Sequence, residues 1–233
     1  MGEQRDSHGR SVNRVYSGYA RSRRKRRAWA ADNPGNAAIR GEVLAHLLRL
    51  AGPEIAGGGS VLDAGCGNGW WLRSLVDAGV EPGRLYGIDI QPERVAAARG
   101  AVPGAEIAVG DARHARFPDE TFAVVIQLTL LSSLGSHRAV REALGEGMRM
   151  LAPGGVLLIY EPRVPNPLNR HTLLVRNSDL AAAGVTPTEV VSLTVVPALA
   201  RRLGGRTQEH YERLARLPFL RTHRLVAHRK RAG

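Results

Sequence analysis

Between residues 60 and 162 short apolar runs alternate with amphipathic ones, and no other feature limits the possible folds as tightly. SVLDAG (60–65), RLYGIDI (84–90), AEIAVGD (105–111), FAVVIQLTLL (122–131) and GGVLLIYEP (154–162) read as strands. Helical stretches separate them: WWLRSLVDAG (70–79), PERVAAARG (92–100) and HRAVREALGEGMRML (137–151). Pro92 opens the second of these and Gly79 and Gly100 end the first two, the usual punctuation of helices. Strands joined through helices pair in parallel by right-handed crossovers. TEVVSLTVV (188–196) and LRTHRLVAHRK (220–230) add two more strands. The pattern predicts an open, mostly parallel seven-stranded α/β sheet with helices on both faces and a ligand crevice at the carboxyl ends of its strands.

The flanks are less regular. Residues 1–13 read as disordered, and Val15 to Ala31 as a helix with Val12, Tyr16, Tyr19 and Arg23 along one face. DNPGN (32–36) should break the chain, a second helix should run from Ala37 to Leu50, and GPEIAGGG should close it. After Pro162 the order loosens through PRVPNPLNRH, with helical character returning in ALARRL and QEHYERLARL. A length of 233 residues fits one large domain. The expected organisation is therefore a disordered start and basic helical lid over 1–36, then one domain over 37–233. Its cofactor half would be 60–161 and its substrate side 162–233.

Charge is distributed unevenly. Arg21 to Arg27 holds six cationic side chains in seven positions, and the chain carries a net +12. Residues 1–30 contain nine basic and two acidic side chains, residues 31–161 eleven and fifteen, and residues 162–233 thirteen and four. Two basic flanks thus enclose a mildly acidic middle, so the positive field belongs to particular segments. No apolar run approaches the ~18 residues needed to cross a bilayer, and the polar start lacks a secretory signal. A cytoplasmic protein without a membrane partner is expected. The single cysteine, Cys66, excludes an internal disulfide and a multi-cysteine zinc site, and no metal-ligand spacing occurs among the histidines.

The stretch VLDAGCGNG (61–69) holds the most chemistry. A buried strand ends in Asp63, and glycines at 65, 67 and 69 let the backbone turn sharply and bring a ligand to the N-terminus of the next helix. A dinucleotide fingerprint would need glycines at 65, 67 and 70, but position 70 is Trp. That spacing argues against a nicotinamide oxidoreductase.

Taken with three later segments, the stretch resembles the class I S-adenosylmethionine-dependent methyltransferases, in particular the group that methylates small molecules. LYGIDI places Asp89 at the end of the second strand, VGDARHARFPDETF resembles the third motif, and MRMLAPGGVLLIYEP resembles the turn and fifth strand that follow. The resemblance implies S-adenosylmethionine as cofactor. It also implies that Asp63, Gly65, Cys66 and Gly67 meet its methionine part, Asp89 with Ile90 its ribose, and Asp111 with Gly110 and Ala112 its adenine. Gln127, at the end of the fourth strand, would face the place where donor and acceptor meet, and Tyr19 would reach the cofactor from the lid. Ala123 and Ala152 depart from the family pattern at positions that are not ligands.

The acceptor side is thinner. His137 opens a helix, His171 lies in the irregular segment, and Glu161 ends the fifth strand, which makes these three the candidate catalytic bases. If the two basic flanks close over the acceptor, it carries a carboxylate or phosphate. The favoured expectation is methyl transfer to an oxygen or nitrogen of a small molecule such as a natural-product precursor. An RNA methyltransferase, or an RNA-binding protein using its basic flanks, is the competing one.

Overall fold

The computed structural model describes residues 33–165, 172–203 and 207–232. The disordered start, the lid helix with Tyr16, Tyr19 and the Arg21 to Arg27 run, and His171 lie outside them.

Pro34 and Gly35 do not break the chain but open helix α1 (Pro34–Ala56). Asn33 Oδ1 accepts from the N–H groups of Gly35 at 3.0 Å and Asn36 at 3.3 Å, and proline at the first helical position lacks only an N–H that would be unpaired anyway. The helix also runs past Pro53, which forfeits one backbone bond, and ends where Gly58 adopts φ 84°.

The central alternation folds as expected. Strands β1 (Val61–Ala64), β2 (Leu85–Asp89), β3 (Glu106–Val109), β4 (Phe122–Leu128), β5 (Leu151–Pro162), β6 (Glu189–Val195) and β7 (Arg221–Arg229) form one sheet of order β3-β2-β1-β4-β5-β7-β6. The pairs β1·β2, β1·β4, β2·β3 and β4·β5 are parallel, with Asp63 opposite Gly87 on one side and Ile126 on the other. The order reverses between β1 and β4, the switch point at which such sheets bind ligands. Helices α2 (Trp70–Asp77), α3 (Pro92–Ala101) and α4 (His137–Met150) are the crossovers. A short helix not foreseen, α5 (Asn177–Ala182), follows the irregular segment; Asp179 in its first turn accepts from the Arg176 N–H. Helices α6 (Pro197–Ala200) and α7 (Thr207–Ala215) match the last two helical stretches.

The described residues fall into two compact units, those between 47 and 191 with 224–232 and those from 33 to 46 with those between 192 and 223. The chain divides inside α1, which runs unbroken across the boundary expected after residue 36. The larger unit holds the switch point. There Val140, Ala143 and Leu144 of α4 join Phe122, Val125 and Leu157 in a closed core, edged by a Tyr86–Phe117–Phe122 aromatic cluster with centroids 5.0–6.1 Å apart. In the smaller unit, Glu42 of α1 accepts from the Thr194 N–H at 2.8 Å and the Tyr211 hydroxyl at 2.6 Å, and pairs with Arg221. Ala38, Val195, Ala200 and Tyr211 are buried together beside that cluster of bonds.

Candidate active site

Every residue of β1 is buried, Asp63 near its carboxyl end included. The backbone leaves the strand through Gly65, Gly67 and Gly69 at φ 86°, 55° and 77°, a left-handed path that side chains resist. The turn is pinned onto β2: the N–H groups of Gly65 and Cys66 both donate to the Ile88 carbonyl, at 2.8 and 2.9 Å. Packing imposes glycine as well. A Cβ on Gly65 would stand 2.9 Å from Leu130 Cδ1, and one on Gly69 3.0 Å from the Ala98 backbone. Among the described residues a Cβ on Gly67 would meet nothing nearer than Arg94 Nη1 at 3.7 Å, which leaves that part of the turn open to a ligand.

Asp63 is 1% exposed, and neither of its carboxylate oxygens has a hydrogen-bond partner among the described residues. Burial, followed by the charge of Asp89, pushes its pKa up to about 8. Asp89 differs: its Oδ2 accepts from the Gly67 N–H at 3.0 Å and its Oδ1 from the Gln91 N–H at 2.9 Å, so it ties the glycine turn to the start of α3. Ile90 follows, partly exposed. The Cys66 thiol, buried and facing the Asp63 and Asp89 charges, is pushed well up from its ordinary value and is inert as a nucleophile.

At the end of β3 the Gly110 N–H donates to the Asp89 carbonyl at 3.0 Å, and Ala112 is buried. The Asp111 carboxylate is not free for an adenine amino group. Arg113 grips both its oxygens at 2.6–3.1 Å and donates its own N–H to Oδ1 at 3.0 Å. Burial works to raise the pKa of Asp111, but those bonds and the guanidinium charge leave it lowered. Adenine can take this carboxylate only if Arg113 swings away.

Gln127 is also placed elsewhere than expected. It is wholly buried, its Nε2 donates to the Ala143 carbonyl of α4 at 2.8 Å, and it lies against Gly147. Alternation along β4 puts it on the face of Val125, turned into the layer between sheet and helix. A residue that sequence reasoning missed stands nearby: Leu130, whose side chain fills the space over Gly65. Its spacing carries no signal, because an irregular turn brings it there. That turn begins with Thr129 at φ 55°, a strained value for a β-branched residue, whose N–H donates to the Tyr160 carbonyl at 2.8 Å.

Glu161 holds this turn. Its Oε1 accepts from the Leu131 N–H at 2.6 Å and its Oε2 from the Ser132 N–H at 3.2 Å. Burial raises its pKa to about 7 against the lowering effect of those bonds and of Arg224. With both oxygens committed to backbone, it anchors the chain after β4. His137 is different. Ser136 caps the helix, and His137 Nδ1 lies 2.7 Å from Asp179 Oδ2, while Arg141 pairs with the other oxygen at 3.1 Å. Burial opposes ionisation of Asp179, but the Arg176 N–H, His137 and Arg141 outweigh it and hold its pKa down. An ionised carboxylate only accepts, so Nδ1 is the donor in this pair, and in the neutral ring the lone pair lies on Nε2.

The structure therefore brings Asp63, Gly65, Cys66, Gly67, Asp89, Ile90 and Gly110 together along the carboxyl ends of β1, β2 and β3, and sets Gln127 apart from them. Among the described residues no group of three or more His, Cys, Asp or Glu side chains could hold a metal ion. A sheet of this order, with a glycine turn and strand-end acids but no dinucleotide spacing, defines the methyltransferase class of cofactor-binding α/β domain.

Comparison with known proteins agrees. Residues 61–155 match the model of a methyltransferase domain family. Phthiotriol/phenolphthiotriol dimycocerosates methyltransferase of Mycobacterium tuberculosis is 30% identical over 197 residues, covering 82% of this chain and 67% of that one. A demethylmenaquinone methyltransferase of Chlorobaculum parvum is 33% identical over 120 residues, but this chain spans only 46% of its length, and 38% of that of a related Mycolicibacterium smegmatis methyltransferase. Among solved structures, the N-methyltransferase NodS of Bradyrhizobium japonicum, in complex with S-adenosyl-L-homocysteine, has a similar fold, with TM-score 0.65 and 19% identity over 94% of this chain and 98% of that one. The chain belongs to the class I S-adenosylmethionine-dependent methyltransferases.

Proposed function

We propose that this enzyme transfers a methyl group from S-adenosylmethionine to an oxygen or nitrogen of a small molecule. The observation that carries the reading is the buried Asp63 carboxylate, partnerless among the described residues and set beside an open glycine turn. A carboxylate left this way destabilises the fold unless a cation comes to it, and the methionine ammonium of the cofactor is such a cation. Asp89 keeps lone pairs for ribose hydroxyls besides those that bind Gly67 and Gln91. When bound, S-adenosylmethionine supplies a methyl group made electrophilic by its sulfonium. The protein contributes alignment and the exclusion of water.

Of the three candidate bases, His137 suits proton removal, because Asp179 orients its Nδ1–H and so fixes the neutral ring in the tautomer with Nε2 as acceptor. Glu161 is a positioning residue, acting through the turn it holds. The two relatives are named as methyltransferases of phthiotriol/phenolphthiotriol dimycocerosates and of demethylmenaquinone, which supports a small-molecule acceptor. The basic flanks of the sequence support one bearing a carboxylate or phosphate.

Calorimetry with S-adenosylhomocysteine tests the first half: binding is expected, and its absence overturns the reading. Transfer of labelled methyl from S-adenosylmethionine to extracted small molecules tests the second. Label appearing only in RNA, together with RNA affinity that falls steeply with salt, would replace the small-molecule acceptor with a nucleic-acid one.

A further inference from the structure

The chain has three phenylalanines, and they have opposite surroundings. Phe117 and Phe122 pack with Tyr86 in the aromatic cluster of the larger unit. Phe219 is 78% exposed. It sits in a 3-10 turn, Pro218–Leu220, near the end of the insert that joins β6 to β7. Leu217 just before it is 38% exposed, and Leu199 of α6 is 37% exposed. The Val196 N–H donates to the Leu220 carbonyl at 2.9 Å, which sets the start of α6 beside this turn. Six large apolar side chains are exposed among the described residues, and these three fall within one insert. Exposed apolar side chains scattered singly need no explanation, but a group of them does.

The charge around this tip has one sign in excess. Residues 196–220 carry five arginines (Arg201, Arg202, Arg206, Arg213 and Arg216) and two glutamates, Glu209 and Glu212. Glu209 is paired with Arg213, and Glu212 accepts from Gln208. Arg202 and Arg216 are exposed, and their guanidinium groups have no ion-pair or hydrogen-bond partner shown among the described residues. An apolar tip with cations at its rim matches the interface of an anionic bilayer, where apolar side chains enter the acyl boundary and guanidinium groups stay with the headgroup phosphates. No described helix is long and apolar enough to cross a membrane; resting on one requires no such helix. A nucleic-acid surface would satisfy the arginines but leave Leu217 and Phe219 in water. A protein partner would need a much larger apolar face.

We propose that the β6–β7 insert rests on an anionic lipid surface through Leu217 and Phe219, with Arg202 and Arg216 on the headgroups. This revises the expectation that the protein has no membrane partner. It is also independent of the acceptor reading, because vesicle binding is measured without methyl donor or acceptor.

The test is sedimentation of the full chain with phosphatidylcholine vesicles, with and without phosphatidylglycerol. Binding is expected only to the anionic vesicles, weakening as salt rises. Leu217→Asp with Phe219→Asp should reduce it at least about tenfold, Arg202→Ser with Arg216→Ser by several-fold, and Val109→Asp, an exposed apolar site far along the sequence, not at all. S-adenosylhomocysteine binding retained by the tip variant shows that the loss is not misfolding. The proposal is overturned if the tip variant binds anionic vesicles as well as the parent does. It is equally overturned if vesicle binding depends only on Arg21 to Arg27, or if RNA binds and vesicles do not.

Discussion

The carboxyl ends of β1 and β5 present the same chemistry in opposite conditions. Each strand has, one residue before its end, an acid that is 1% exposed, and burial raises both pKa values, Asp63 to about 8 and Glu161 to about 7. Glu161 has a backbone N–H on each oxygen, whereas Asp63 has no partner among the described residues. A buried acid whose bonds are complete belongs to the architecture; one left incomplete in the same sheet marks where a ligand completes it. Fold and function can thus be separated in one molecule by counting partners on two carboxylates.

The largest effect expected is on the satisfied acid. Glu161→Ala leaves the N–H groups of Leu131 and Ser132 buried without an acceptor, a loss of about 2–5 kcal/mol in urea unfolding. Because the folded pKa of Glu161 is raised, its stabilising contribution is full below about 4.5 and declines as pH rises through about 7. The loss should therefore be greater at pH 5 than at pH 8. The turn also carries Leu130 over Gly65, so S-adenosylhomocysteine affinity should fall in parallel. Unchanged stability would place Glu161 outside the architecture and erase the contrast with Asp63.

Asp63→Asn should behave in the opposite way. Removing a buried charge leaves the unliganded fold as stable at pH 8 or more so, while S-adenosylhomocysteine affinity drops about tenfold to a hundredfold for want of the ionic partner. Calorimetry beside a thermal melt separates the two. Loss of stability without loss of affinity would mean that Asp63 is the architectural acid.

A pH series sharpens the same point. With a folded pKa of about 8, Asp63 is mostly neutral at pH 6, and ionising it to meet an ammonium costs binding energy. Affinity should weaken as pH falls below 8, by up to about tenfold per unit, and Asp63→Asn should flatten the profile. A slope that persists in Asp63→Asn but vanishes in Glu161→Gln would assign the titration to the other acid.

These two acids also show how much the sequence reveals. Asp63 and Asp89 are legible because they sit at fixed positions in short motifs whose backbone geometry is local: a strand end, then glycines at left-handed φ. The seven strands are legible for the same reason, through period and punctuation. Glu161 and Leu130 are not, since their roles depend on the irregular turn after β4, and no periodicity encodes which N–H will meet which oxygen. The helix opened by Pro34 is misread because Asn33 converts two apparent breakers into a cap. Asp111 reads as an adenine acceptor until Arg113, two residues on, is seen gripping it, a partner in plain view in the sequence whose rotamer is not.

Gln127 gives the smallest expected effect and the strictest check on partner counting, because it is half satisfied. Its Nε2 donates to Ala143 while its Oε1 is buried with no partner among the described residues. By the logic applied to Asp63, that orphan oxygen could also be awaiting a ligand. Its location argues otherwise: the amide lies against Gly147 inside the sheet–helix layer, where a Cβ on that glycine would already stand 3.0 Å from Nε2. The side chain is wholly enclosed by that packing. A neutral orphan acceptor also costs far less than an orphan charge. Gln127→Leu gives up one hydrogen bond and removes one unsatisfied oxygen, so stability should change by no more than about 1 kcal/mol and S-adenosylhomocysteine affinity by less than about twofold. A tenfold loss of affinity at unchanged stability would show that the amide turns toward the crevice when ligand binds, and that an orphan atom marks a ligand site even where the unliganded packing is closed.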